Sequence, residues 1–197
     1  MIITINRDVG AGGHTVGQLV AKELGIEFYD RDIIKAAVKA SGLDPEEVAQ
    51  AEEEMTAASR FLRIISPASY MDEHYAIHSI EMRFIIELAM KESCVILGRC
   101  ADDILEKAGI PSLNVFLHAS TIHRAKRVGE LIGSSDPTVI QKKMQKSTAA
   151  RRAYYEQFTG KKWGDSRNYT LCLDTGFLGF ESAAQLIVEA VRKSEEE

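Results

Sequence analysis

The sequence predicts an α/β domain built on a parallel sheet, and three observations predict it. Short apolar runs alternate with helical periodicity along the whole chain, and a glycine-rich segment follows the first run. The chain has 197 residues, 45% of them hydrophobic, enough for one domain with a real core and cramped for two. Four prolines and 14 glycines exclude a collagen-like or low-complexity chain.

The elements follow in order. Ile2 to Ile5 is a short apolar strand, and a glycine-rich loop leads from it into a helix from about His14 to Leu24, with Val16, Leu19, Val20 and Leu24 as its apolar stripe and Gly25 as its stop. Glu27-Phe28-Tyr29 reads as a second strand, and Asp30 introduces a helix carrying Ile33 and Ile34. Residues from about Ser41 to Lys91 read as helical, with Asp44-Pro45-Glu46-Glu47 as a helix start, a loop at Ser66-Pro67-Ala68-Ser69 and a long amphipathic stretch after Met71. Cys94 to Leu97 and Leu113 to Leu117 are the third and fourth strands. Thr138 to Phe158 is a helix, basic on one side; Leu171-Cys172-Leu173 is the fifth strand, and a last helix spans about Glu181 to Lys193.

Short apolar strands joined through helices imply a buried parallel sheet with right-handed crossovers. Such sheets bind ligands at the carboxyl ends of their strands. Here that selects Arg7 to Gly13, Asp30, Gly98-Arg99, His118 and Asp174.

Composition narrows the partners. The net charge is −5, yet His118 to Arg167 holds eleven Lys/Arg against four Asp/Glu, or +7, leaving −12 for the rest. An acidic chain with one basic segment suits a small polyanion and argues against a general nucleic-acid binder, although a solvated basic helix face has the same composition. No apolar run approaches the roughly 20 residues of a membrane helix. The start, Met1 to Asp8, lacks the basic residues and cleavage site of a secretory signal, so a cytoplasmic location without membrane association is expected. Cys94, Cys100 and Cys172 form no CxxC pair and each lies in or beside an apolar stretch, as buried thiols would.

Gly10-Ala11-Gly12-Gly13-His14-Thr15 joins the first strand to the first helix. Glycines let several N–H groups point into one concavity, and the helix N-terminus behind them adds about half a positive charge, which together hold a phosphate. A tight turn without ligand is the competing reading. The spacing is that of GxxxxGK[ST] with two departures: with Gly12 as the last glycine, Arg7 stands at the first glycine and Gly13 at the lysine. Arg7 is then the nearest cation to replace the missing ammonium. Thr15 offers a hydroxyl to phosphate or Mg²⁺, or simply caps the helix.

Asn6 to Gly13, Phe28-Tyr29-Asp30, Val95 to Asp102, and the run Tyr154-Tyr155-Glu156-Gln157-Phe158-Thr159-Gly160-Lys161-Lys162-Trp163-Gly164-Asp165, continuing through Asn168 to Thr175, together resemble the cytidylate kinase-like family. The resemblance covers nearly the whole chain, and TGKKWGD is its most specific block. It implies a three-layer P-loop kinase fold: a five-stranded parallel sheet flanked by helices, a helical insertion for the acceptor over residues 41–91, and a lid-like segment over 134–167, all in one domain spanning 1–197. The implied activity is ATP- and Mg²⁺-dependent phosphoryl transfer to a nucleoside monophosphate, CMP-like in base. The alternatives are a small-molecule kinase with another acceptor and a nucleotide sensor with little turnover.

The resemblance also implies roles. Gly10, Ala11, Gly12, Gly13, His14 and Thr15 would hold the donor phosphates. Arg7, Arg124, Arg127 and Arg151 would spread transition-state charge, for which a planar, permanently charged fork is suited. Arg124 and Arg127, one turn apart, also read as a solvated face. Arg99 and Asp102 would bind the acceptor. Asp30 would orient an acceptor hydroxyl or a metal-bound water, or cap its helix. No metal ligands are assigned. The family's Asp-Lys pair before the lid arginines is replaced by Thr148-Ala149-Ala150 ahead of Arg151-Arg152.

His74 and His78, four apart near Glu81, lack a third ligand and read as surface or interface histidines. Tyr154, Tyr155, Phe158 and Trp163 beside lysines suit packing against the core better than stacking on nucleic-acid bases. The helices of 41–91 fit an acceptor pocket or a subunit interface, so a homo-oligomer is an open partner beside small nucleotides.

Overall fold

The computed structural model describes residues 1–34 and 68–195. Its five strands are β1 (Ile2–Arg7), β2 (Glu27–Tyr29), β3 (Cys94–Leu97), β4 (Ser112–His118) and β5 (Leu171–Asp174). All pairings are parallel, in the order β2-β3-β1-β4-β5. The helices are α1 (Gly13–Leu24), α2 (Ala68–Lys91), α3 (Ala101–Lys107), α4 (Thr121–Ile132), α5 (Pro137–Thr159), α6 (Thr175–Leu178) and α7 (Phe180–Glu195).

The β-branched run at the start of the chain makes β1 the central strand, and its side chains alternate between two cores. Ile3 and Ile5, with Val95, Leu97, Val115 and Leu117, face α1 and α7. Ile2, with Cys94, Ile96 and Phe116, faces the layer made by α2, α3 and the C-terminal part of α5. Ile3 and Ile5 are wholly buried, worth about 2 kcal/mol each in transfer free energy. The chain moves from β3 to β4 across β1, so the ends of β1, β3 and β4 bound the crevice where ligands of open α/β sheets bind.

The segment expected to be lid-like, 134–167, is mainly the helix α5, more exposed than buried along its length. Asp136 caps α5, accepting from the Thr138 amide at 2.8 Å, and Pro137 opens it. Met144 and Tyr155 are buried along it. Its far end is moored by the TGKKWGD block. Gly160 leaves the helix at φ 69°, and Lys161 pairs with Asp103 at 3.0 Å and with Glu106, both on α3. Trp163 packs edge-on against Phe116 of β4, ring centres 5.5 Å apart.

Other expectations change. The loop expected at Ser66-Pro67-Ala68-Ser69 does not extend to its last two residues, because α2 begins at Ala68. The helix start at Asp44 to Glu47 lies outside the described residues. Cys94 and Cys100 are buried, but Cys172 is exposed because β5 is an edge strand with little covering it.

Candidate functional site

The glycine-rich loop turns at the carboxyl end of β1. Gly10 and Gly12 adopt φ 88° and 75°, and each also meets a steric wall. A Cβ on Gly10 would lie 2.6 Å from the Arg124 carbonyl, and one on Gly12 would lie 2.2 Å from the Phe180 ring. The loop closes through Ala11 N–H donating to Asp8 O (3.2 Å), and α1 starts with Val16 N–H donating to Gly12 O (2.9 Å). Gly12 supplies no side-chain cap, and among the described residues the first-turn amides of Gly13, His14 and Thr15 have no acceptor. The Thr175 hydroxyl bridges the carbonyls of Ala11 (3.0 Å) and His118 (3.1 Å), fixing the loop to the ends of β4 and β5.

Arg7 ends β1, and its side chain runs over Gly13 to Gly98. A Cβ on Gly13 would meet Arg7 Cγ at 2.7 Å, and one on Gly98 would meet Arg7 Nη1 at 2.5 Å. Among the described residues no carboxylate pairs with this guanidinium. Burial, followed by the charge of Arg151, lowers its pKa to about 9, so it remains a cation at neutral pH. Arg151 donates from Nη1 to the Arg7 carbonyl at 3.2 Å. Its own pKa is lowered, chiefly by burial and then by Arg31. Among the described residues, two desolvated guanidiniums without a carboxylate in contact thus stand beside a loop whose first amides have no acceptor, an arrangement that rewards an anion.

The other expected residues divide. Arg124 lies at the loop, its Nε donating to Ala119 O at 3.0 Å and standing 3.8 Å from Asp8 Oδ2. Arg127 turns outward, pairing with Glu130 at 3.2 Å and standing 5.7 Å from the centre of the Phe180 ring. Asp30 caps the helix at 31–34, accepting from the Asp32 (2.9 Å) and Ile33 (3.0 Å) amides, while its other oxygen stands 3.3 Å from His14 Nε2. Arg99 pairs with buried Glu81 and lies over the Tyr154 ring at 4.3 Å.

Asp102, expected at the acceptor, lies inside the protein. It is 2% exposed, and its two oxygens accept from Asn6 Nδ2 at 3.0 Å and Tyr155 OH at 2.7 Å. The short helix α3 turns it under the sheet, so it ties β1 to α5 rather than facing a ligand. Burial raises its pKa, opposed by those hydrogen bonds.

Three further residues gain roles at the site: Asp8, inside the selected run Arg7 to Gly13 but given no role of its own; Glu81, named only beside the histidines; and Tyr154, expected to pack against the core. Asp8 sits in the loop beside Arg124, and burial raises its pKa against the pull of that arginine. Glu81 and Tyr154 hold Arg99. Asp8 could have been found from its place in the loop. Glu81 carries no local signal. His78, beside Glu81 on α2, hydrogen-bonds Tyr154 OH through Nδ1 at 2.9 Å and stacks on Phe158 at 3.9 Å, and Tyr155 and Trp163 are buried.

An open cleft of about 1290 Å³ runs between α4 and α5. Asp8, Arg124 and Arg152 line one part of it, and Ala125, Ile140 and Met144 supply apolar wall. Asp8 is the residue of the glycine-rich turn that reaches it, and the cleft's volume is that of a small-molecule site. No helix among the described residues is long and apolar enough to cross a membrane.

A sequence profile of the cytidylate kinase-like family matches residues 2–176. An uncharacterized protein from Eubacterium ventriosum ATCC 27560 superposes with a TM-score of 0.74 at 26% identity, covering 98% of each chain. A shikimate kinase from Bacteroides thetaiotaomicron superposes with a TM-score of 0.53 at 16% identity over 98% of each chain, a likeness of fold. An S-adenosylmethionine-dependent nucleotide dehydratase of Lacinutrix mariniflava is 24% identical over 98% of this chain. The match takes up 36% of that relative, so the chain spans about a third of its length.

Proposed function

The chain belongs to the cytidylate kinase-like family, and from that premise we propose that it transfers the γ-phosphoryl group of ATP to a nucleoside monophosphate, CMP-like in base. The observation that carries this reading is the pair Arg7 and Arg151: two guanidiniums without carboxylate partners among the described residues, beside a phosphate-type loop that lacks its lysine. The chain is also similar to about a third of a relative named for chemistry on nucleotides, which supports a nucleotide as the substrate class.

In the proposed reaction an oxygen of the acceptor phosphate attacks the γ-phosphorus. The bond from that phosphorus to the β,γ-bridging oxygen breaks, and ADP leaves. The amides of Gly13, His14 and Thr15 hold the donor phosphates. Arg7 and Arg151 offset the charge of the moving group in a half-buried site, where such contacts are strongest. Asp8 orients Arg124 beside the loop, and Arg99 anchors the acceptor's phosphate. Among the described residues no three acidic, histidine or cysteine side chains converge on one point. A Mg²⁺ carried by the nucleotide would find the Thr15 hydroxyl as the protein group at the start of α1 able to hold it. When bound, Mg²⁺ supplies neutralisation of the β and γ oxygens.

A second reading has its own observation. His14 and Asp30, 3.3 Å apart at the loop mouth, form a pair able to take a proton from an acceptor hydroxyl, which a phosphate acceptor does not require. One assay separates the two. Purified protein is incubated with Mg-ATP and either a panel of nucleoside monophosphates or a panel of small alcohols and sugars, and ADP is measured. ADP formation dependent on a monophosphate supports the proposal, and dependence on a hydroxyl compound replaces it with the second reading. Tight ATP binding with no acceptor-dependent ADP makes the chain a nucleotide sensor.

A further inference from the structure

Glu81 of α2 is 1% exposed, so its carboxylate is withdrawn from water. Burying such a charge costs several kcal/mol unless a partner compensates it. The compensation comes from two groups: Arg99 Nη2 pairs with Glu81 Oε2, and the Tyr154 hydroxyl donates to the same oxygen at 3.1 Å. Arg99 Nη2 also lies 2.6 Å from that hydroxyl, and the guanidinium covers the Tyr154 ring.

The backbone serves the same guanidinium. Gly98, Arg99 and Cys100 are successive left-handed residues, at φ 77°, 61° and 57°. For the two non-glycines this conformation is unfavourable, because Cβ crowds the following carbonyl oxygen. Strain of this kind persists only where surrounding contacts fix it, and it gathers at functional sites. Here it turns Arg99 off the end of β3 and onto Glu81.

What remains free on Arg99 is specific. Nη2 is bonded, and Nε is buried without a partner among the described residues. Nη1 has no hydrogen-bond or ion-pair partner among the described residues, on a side chain 12% exposed. Gly98, next in the chain, touches the Arg7 guanidinium. The charge of Arg99 is felt at Arg7, so the two guanidiniums share one neighbourhood.

We propose that Glu81 is a positioning residue: it clamps Arg99 through Nη2 so that Nη1 is presented to an anionic oxygen of the acceptor. Through Tyr154 the clamp also ties Arg99 to α5, the helix that carries Arg151. This rests on the assignment of Arg99 to the acceptor, and it assigns to Glu81 the aim of Arg99, with no contact of its own to the acceptor.

The test uses four variants of the full chain: E81Q, E81D, Y154F and R99A. For each, the KM and kcat for CMP, calorimetric binding of ATP and CMP, and the thermal midpoint are measured. E81Q is expected to raise the KM and Kd for CMP at least tenfold, to change ATP affinity less than twofold, and to be partly rescued in E81D. Y154F, which keeps the ring and the ion pair, is expected to raise the CMP KM about threefold, so the inference survives if E81Q fails to fold. An E81Q protein whose CMP and ATP affinities fall by the same factor along with its thermal midpoint would show a merely structural residue and overturn the proposal. If R99A raises the CMP KM and neither E81Q nor Y154F does, this inference fails alone. If R99A leaves CMP binding unchanged, or wild type binds no CMP, the acceptor reading fails and takes this inference with it.

Discussion

Replacing Gly98 with alanine probes the Arg7 guanidinium without replacing Arg7 itself. Gly98 has φ 77°, and an added methyl carbon would lie 2.5 Å from Arg7 Nη1, 3.6 Å from Cζ and 3.9 Å from Nη2. No carbon–nitrogen contact survives at 2.5 Å, so something must move. The obstacle is the far end of a flexible side chain, and the guanidinium yields before the backbone does. The stability cost is then the left-handed alanine alone, about 1–2 kcal/mol, or roughly 2–8 °C in Tm for a chain of this size. The functional cost is larger. An arginine at a phosphoryl-transfer centre is worth about 10³–10⁵ in rate, and displacement by about 1 Å forfeits on the order of 10²-fold. G98A is therefore expected to lower kcat about a hundredfold, measured as ADP release with saturating Mg-ATP and acceptor. The same substitution placed on R7A should lower kcat little further, since the group it displaces is already gone. A G98A protein with the expected thermal loss and an unchanged kcat would refute the placement of Arg7 in the reaction, and so would full additivity in the double variant.

Other consequences are as specific. G12A puts a methyl carbon 2.2 Å from the Phe180 ring at φ 75°; ATP affinity should fall at least tenfold by calorimetry, and adding F180L should recover part of it. D102A leaves the Asn6 amide and the Tyr155 hydroxyl as buried donors without their acceptor. Urea denaturation should show a loss of about 2–4 kcal/mol, with the CMP KM of the folded fraction unchanged. Burial, with the charge of Arg99 behind it, lowers the His78 pKa from 6.5 to about 4. The folded state therefore resists protonation that the unfolded chain accepts. The resulting stabilisation is complete above about pH 6.5 and is lost as pH falls toward 4, at up to about 1.4 kcal/mol per unit. Between pH 7 and pH 5 wild type should lose more stability than H78Q, by roughly 1–2 kcal/mol; equal slopes would remove His78 from the acid response.

Much of the scaffold was legible because its signals are local. The β-branched run of β1, the apolar Cys94 to Leu97 and the periodic α1 each declare themselves within a few residues, and alternation alone implies a parallel sheet. The glycine turn between β1 and α1 was legible for the same reason. What was not legible depends on contacts distant in sequence. Glu81 lies eighteen residues from Arg99 and reads as one more acid on an amphipathic helix; only the packing of α2 and α5 turns it into a buried counter-charge. Asp102 was misplaced because it neighbours Arg99, and the turn of α3 sends the two in different directions. The TGKKWGD block, the most distinctive run in the sequence, is a mooring built from Lys161 on Asp103 and Trp163 on Phe116. A distinctive motif thus marked where a helix is held.

That mooring makes α5 a lever. Its pivot is at Gly160, and Arg151 lies nine residues up the helix, about 14 Å at 1.5 Å per residue. At such a radius a rocking of about 5° carries the guanidinium roughly 1 Å, the scale on which phosphoryl transfer is won or lost. Under the proposed reaction, loosening that pivot by K161A is expected to lower turnover through the position of Arg151, although Lys161 pairs with α3 and not with the loop.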